Sequence, residues 1–406
     1  MPMNLVSSTA LATVLMGSVA VAQDVEVQNS WVSGSEAQGK QVVMDALAER
    51  GFNWVDASVA GYENDDAAFM SRIQAGDPPA AKFYIAGRNA ADLIAGDLMQ
   101  PITEVVSEEA EAALPELIKT AMGGFQGDDE YYYSPISVHG ESWFFYSIPL
   151  AEQLGYDEMP TTWDGFFEML DAAKEAGIMP LAFSGQSWQT NKVFNQIAVS
   201  ILGADTYNDM LQNANEDIVM SDEFRQAIEI FDRLHDYVGE GISTLNWNDA
   251  TAQVIRDEAL LQFQGDWAKG EFIAAGEEVG VDYGCAITPG HQDMMIVVDA
   301  FTFPKVEEGT EGQMALAETL LDPEVQKGFT TLKGSFPART DVDMSSYDMC
   351  AQLANEKMKA NEIAADMAIV SPRFVQGALA DLINEFWAAP YDYADFQDEF
   401  IYALSY

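Results

Sequence analysis

From residue 25 onward the chain alternates short apolar runs with stretches whose apolar positions recur at helical spacing. Residues 25–31 predict a strand and 36–50 an amphipathic helix, with Val42, Val43, Ala46 and Leu47 as its buried stripe and Gly51 as its end. Residues 54–60 predict a second strand, 66–75 a helix with Phe69, Met70 and Ile73 inward, and 80–85 a third strand after Pro78 and Pro79. This βαβαβ order predicts a parallel sheet. Residues 131–138 and 142–147 are two aromatic-rich strands around His139 and Gly140, an interruption where the chain can pass from one domain to another. A helix-rich region follows: Thr161 or Thr162 caps 163–176, 180–184 is a short strand, and amphipathic helices run from 192 through 235.

The stretch 245–272 carries two tryptophans, Trp247 and Trp267, twenty residues apart, with acids and amides beside each. Asn248 or Asp249 is positioned to cap a short helix through 256, and 259–263 reads as a strand. Gly265 then breaks the run before Asp266 and Trp267 open a second helix. Trp267 therefore falls at a strand-to-helix corner, where open α/β sheets bind ligands. Residues 294–298 form a continuous apolar strand that stops at Asp299, and 301–305 resume an extended pattern, so the charge predicts an exposed strand end. Residues 323–330 read as helix, 333–339 as a turn containing Gly334 and Pro337, and 347 onward as helix, as if the chain returns to the first domain and leaves it again.

A length of 406 residues suggests about two domains. Residues 1–22 end in Ala20, Val21 and Ala22 after an apolar segment, the pattern of a cleavable export signal; its missing basic start leaves open whether Met1 is the true start. No other stretch approaches the roughly 18 apolar residues of a membrane span, so a free periplasmic protein is expected. With 66 acids against 19 lysines and arginines the net charge is −47, which makes nucleic acid and anionic membrane poor partners. The acids are spread along the whole chain, favouring solubility in a salty medium over recognition of a cationic ligand. In an exported chain Cys285 and Cys350 are expected to pair, with two buried thiols as the alternative.

Candidate chemistry narrows by elimination. Residues 34–40 approach a phosphate-binding loop, but Gln41 stands where a magnesium-holding hydroxyl is needed and Glu36 would face phosphates. The same corner suits neutral hydroxyls, with Trp31 stacking, Ser33 donating and Glu36 accepting; a helix-dipole role is the simpler reading of Glu36. The three histidines, His139, His235 and His291, have no ligand spacing, so neither a metal nor a cofactor is expected. A serine hydrolase would need a Gly-x-Ser-x-Gly elbow, which is absent from the sequence. A glycosidase could use Glu36, Asp266 or Asp299, yet sugar binders use the same residue types without catalysis. Aromatic faces rimmed by acids and amides suit a sugar, whose C–H face stacks while its hydroxyls take charge-assisted hydrogen bonds.

Six segments then carry a family resemblance: SWVSGSEAQ at 30–38, AGDPPAA at 75–81, LNWNDATA at 245–252, GDWAKGEF at 265–272, VVDAFTFPK at 297–305 and KGSFPARTD at 333–341. In order and spacing, over nearly the whole chain after residue 22, they resemble ABC-transporter solute-binding proteins for sugars, above all periplasmic glucose/mannose-binding proteins. The resemblance implies a two-lobed α/β fold of the maltose-binding-protein type, with the ligand in the cleft between lobes. It implies one lobe from 24–137 with 296–342, another from 138–295 with 343–406, no enzymatic activity, membrane permease partners and a monomer. It further implies that Trp31 and Glu36 act as a stacking and hydroxyl-binding pair, Trp247 and Trp267 as aromatics of the other lobe, Asp299 and Lys333 as a polar clamp, and Cys285–Cys350 as a disulfide. The chain departs from the family at Val32, where a second tryptophan is usual, at 82–84, which includes Tyr84, and at Gln376, near a usual histidine. His139 and Trp188 join as further candidates near the cleft. A glucose-like monosaccharide leads; another neutral sugar or glycosylated polyol follows, then an ammonium ligand caged by Trp31, Tyr84, Trp247 and Trp267.

Overall fold

The structure is a computed structural model that describes residues 23–32, 34–239, 241 and 245–405. The expected export signal and Ser33 lie outside the described residues. Among the described residues eleven strands fall into two sheets: β1 (Gln23–Asn29), β2 (Phe52–Ser58), β3 (Ala81–Ile85), β4 (Tyr133–Gly140), β5 (Trp143–Ser147), β6 (Met179–Leu181), β7 (Ala259–Phe263), β8 (Tyr283–Ile287), β9 (Met294–Thr302), β10 (Phe336–Pro337) and β11 (Ile363–Ala365). The larger has the order β10, β4, β9, β3, β1, β2, with β11 also on β9; the smaller runs β6, β7, β5, β8.

The βαβαβ reading holds: β1 pairs in parallel with both β2 and β3, Val25 opposite Trp54 and Val27 opposite Ala81. Helix Gly34–Glu49 links the first two strands and helix Tyr62–Ala75 the next, the second beginning four residues before the expected Asp66. The smaller sheet is mixed, with β5 antiparallel to β7 and β8 while β6 is parallel to β7.

The sheets are joined by short crossings. Between β4 and β5 only Glu141 and Ser142 intervene, so the chain changes sheet one residue beyond the expected His139–Gly140 interruption. Gly140 is required there by space: a Cβ would lie 2.7 Å from the Trp143 indole nitrogen and 2.8 Å from the Met294 sulfur. The chain crosses back between β8 and β9, and β11 adds to the β9 end at Ile363 opposite Met294. Helices pack against both sheets, as the α/β pattern demands.

Three local expectations need correction. Asp299 is not at an exposed strand end: β9 runs unbroken from Met294 to Thr302, and Asp299 is buried within it, its charge met by side chains from two other segments. The helix Trp247–Ile255 is capped by Asn246, in a reciprocal box with Asp249, rather than by Asn248 or Asp249. The strand expected over 180–184 is the shorter β6. Cys285 and Cys350 form a disulfide with Cα atoms 6.2 Å apart, tying β8 to the helix Met349–Ala360.

Candidate functional site

The site begins at β9, where Asp299 faces two cations. Its Oδ2 accepts from Lys333 Nζ at 2.5 Å and from the Ser137 hydroxyl at 3.3 Å, and lies 3.3 Å from His139 Nε2. Ser137 and His139 come from β4, whose register sets Ser137 opposite Asp299 on β9. Lys333 closes the helix Pro323–Lys333, where a cation complements the carbonyl end of the helix, and Gly334 in the left-handed region turns the chain away. The Lys333 ammonium also lies 5.0 Å from the centre of the Trp31 ring.

His139 bridges to the other sheet. Its Nδ1 lies 2.5 Å from Asp266 Oδ1, and the Gly140 N–H donates to Asp266 Oδ2 at 3.1 Å. Burial pulls the His139 pKa down, but Asp266 and then Asp299 outweigh burial and the nearby Lys333, raising it to about 9, so the ring is an imidazolium at neutral pH. Burial likewise pushes Asp299 up, yet Lys333 and His139 hold it well below the usual carboxylate range.

Asp266 and Trp267 stand on the corner that the sequence predicts, between β7 and the helix Lys269–Ala275. Gly265 makes the corner possible, because a Cβ there would sit 2.2 Å from the Trp267 ring, which folds back over the backbone. The half-buried Trp267 ring meets His139 edge-on at 5.7 Å and Trp188 at 6.0 Å. Together with Tyr62, Phe83, Ile85, Glu141, Lys192 and Val297, the residues His139, Trp267 and Asp299 line a cleft of about 240 Å³. Strands β3, β4 and β9 of the larger sheet thus contribute, together with the turn that follows β7 of the smaller one.

Other candidates sit elsewhere. Trp31 is 1% exposed and packs against Phe83, Phe301 and Phe329 at 4.8 to 5.2 Å, so its ring is core beneath Lys333 rather than an open stacking wall. Val32 next to it is 57% exposed. Glu36 accepts the Val32 N–H at 3.0 Å, bracing the entry to its helix. Tyr84 alternates along β3 with Phe83 and Ile85, which line the cleft; it is buried against Phe69 and its hydroxyl bonds Asp66, so it faces away from the cleft. Gln376 spends its amide on the Ser371 carbonyl at 2.8 Å and lines no part of this cleft. Trp247 is half-buried; its N–H donates to Gln186 at the head of the helix that carries Trp188, which links the two segments.

Glu141 and Lys192 are lining residues that sequence reasoning passed over. A signal existed: the helix Ser187–Leu202 buries Gln189, Thr190, Asn191, Asn195 and Gln196, far more polar side chains than a core face needs. No group of three or more potential metal ligands occurs among the described residues.

The profile of the bacterial extracellular solute-binding protein family matches residues 41–327. A protein of Mesorhizobium japonicum named "Probable sugar-binding periplasmic protein" is 34% identical over 94% of this chain and 94% of its own. Among solved structures, the bacterial solute receptor AcbH, described as having an exclusive preference for β-D-galactopyranose, superposes with a TM-score of 0.81 at 17% identity over 93% of this chain and 97% of its own. The receptor RafE in complex with raffinose superposes at 0.75 and 15% identity over 94% and 98%. At those identities the likeness speaks for the two-lobed fold alone. The chain belongs to the bacterial extracellular solute-binding protein family. It is a periplasmic sugar-binding component of an ABC transporter.

Proposed function

We propose that this protein captures a glucose-like monosaccharide by closing two lobes on it and presents the closed form to the membrane permease. In this reading residues 24–137 with 296–342 make one lobe and 138–295 with 343–406 the other. The crossings at Glu141–Ser142, between β8 and β9, and beside β11 act as hinges. The observation that carries the reading is the cleft of about 240 Å³ in which Trp267 stands beside the Asp299–Lys333–His139 cluster. That volume lies below the roughly 300 Å³ at which pockets for drug-sized ligands begin. Its size favours one sugar ring over a trisaccharide such as the raffinose bound by RafE, and accords with the galactopyranose named for AcbH.

The charges support a neutral ligand. Asp299 has Lys333 and His139, and Asp266 has His139, so no carboxylate of this cluster is left to meet an ammonium ion. The same pairing argues against Asp299 as the general acid of a glycoside hydrolase, since it stays ionised. Asp299 and Lys333 accept from and donate to sugar hydroxyls, Trp267 offers a stacking face, and enclosure strengthens each bond by excluding water. Ligand contacts that only the closed arrangement completes shift the population toward it.

A thermal-shift panel of aldohexoses, pentoses, raffinose and choline tests the proposal, because a ligand of the native state raises the melting temperature. A shift with a monosaccharide is expected. Shifts confined to raffinose or to choline would overturn the ring-size or the neutral-ligand argument respectively.

A further inference from the structure

A second charged cluster reaches the same cleft from a different side. Glu141 belongs to the link between β4 and β5, Lys192 to the helix Ser187–Leu202, and Asp366 caps the helix Met367–Val370 directly after β11. Lys192 Nζ lies 2.6 Å from Glu141 Oε1 and 2.8 Å from Asp366 Oδ2. Glu141 and Asp366 are 1% and 2% exposed, whereas the Lys192 side chain keeps 21% of its surface open. Glu141 and Lys192 both line the cleft.

An ammonium carries three N–H donors, and two carboxyl groups lie within ion-pair distance of this one. Among the described residues no further acceptor contacts Lys192. Glu141 Oε2, in turn, is buried with no hydrogen-bond partner. A lysine held only for stability would need neither the opening to the cleft nor a second carboxylate with an oxygen left over. A free lysine is a poor reader of one hydroxyl because its four-carbon stem is flexible, but two carboxyl groups at fixed positions beside its nitrogen remove that freedom.

We propose that Lys192 is a specificity-determining donor to one hydroxyl of the bound sugar, with Glu141 and Asp366 as the residues that position it. This rests on the monosaccharide reading above. A buried donor built to meet a hydroxyl is left unpaired when that hydroxyl is missing, so a sugar lacking it is rejected far more strongly than lost packing alone would explain.

The test titrates the protein and its Lys192→Met variant calorimetrically with the best monosaccharide and each of its monodeoxy derivatives. One deoxy position is expected to cost the unaltered protein about tenfold or more in affinity, and that single penalty disappears in Lys192→Met while the penalties at other positions remain. An unchanged deoxy profile in Lys192→Met overturns the inference and leaves the monosaccharide reading standing. Failure of the unaltered protein to bind any monosaccharide removes both. Should Lys192→Met not fold, Lys192→Arg keeps the buried ion pairs but moves the donors; it must alter the penalty at that same position, and an unaltered profile counts against the proposal. Glu141→Gln is expected to weaken the same penalty without abolishing binding, a selectivity readout that a merely structural role would leave unmoved.

Discussion

At the scale of single residues, the site is an exercise in keeping buried charge compensated. Asp299 is inserted in an apolar strand because Lys333 and His139 meet it there, and removing it leaves Lys333 without its carboxylate and His139 with Asp266 alone. Asp299→Asn is therefore expected to weaken sugar affinity by a few kcal/mol and to lower the melting temperature as well. Calorimetric titration checks the first part, and affinity equal to that of the unaltered protein would remove Asp299 from the contact set. Proton linkage gives a second prediction. His139 holds its proton up to about pH 9 against an ordinary 6.5, so its contribution to stability is whole below 6.5 and lost as the pH rises through 9. For Glu141, burial is the largest influence, and with Asp366 it outweighs Lys192, raising the pKa from 4.5 to about 8. Its contribution runs the same way and is lost by about pH 8. Asp299, depressed, acts oppositely and matters only in acid. The melting temperature should thus fall between about pH 4.5 and 9, and Glu141→Gln should flatten the part of the fall between about pH 4.5 and 8. A level profile in the unaltered protein would mean that neither proton is held.

At the scale of elements, legibility tracked how local the cause was. The strand at 259–263 came out residue for residue as β7, because an apolar run bounded by Gly265 is decided within a few positions. Thr162, one of the two expected caps, caps its helix for the same reason. Asp299 was misread because the groups that let a carboxylate sit mid-strand stand 34 residues ahead on one helix and far behind on β4. Tyr84 counts among the sequence's pocket candidates because a largely buried strand gives no alternation from which to read its face. Lys192 was missed because its partners are Glu141 and Asp366, which no local pattern connects to it. The Cys285–Cys350 pair illustrates the long-range case that sequence can still reach, two cysteines in a chain that resembles disulfide-bearing exported proteins. Closing a loop across a separation of 65 residues is worth about 4 kcal/mol in the chain-entropy account. The double variant Cys285→Ser with Cys350→Ser should therefore melt on the order of 10 °C lower. An unchanged melting temperature would show that strand β8 and the helix Met349–Ala360 are held by packing alone.

At the scale of the whole molecule, the dominant fact is a net charge of −47 carried by a fold whose functional cleft is close to balanced. The few basic side chains are placed with economy: Lys40, Lys82, Lys192, Lys269, Lys333 and Arg339 each neutralise an acid in a largely buried position. The uncompensated acids are left to repel one another across the surface. At low ionic strength that repulsion opposes the compact state, and added salt removes it, since charges more than about 10 Å apart are screened at 0.1 M. The surface and the cleft should therefore respond differently. Raising sodium chloride from 0.05 to 1 M is expected to raise the melting temperature progressively, while the affinity for the bound sugar, set by enclosed pairs that screening barely reaches, changes little. Scanning calorimetry and sugar titration on the same salt series make the comparison. A melting temperature independent of salt would mean that the acid excess is too dispersed to strain the fold, and an affinity that collapses with salt would mean that the ligand is charged and the neutral-sugar reading is wrong.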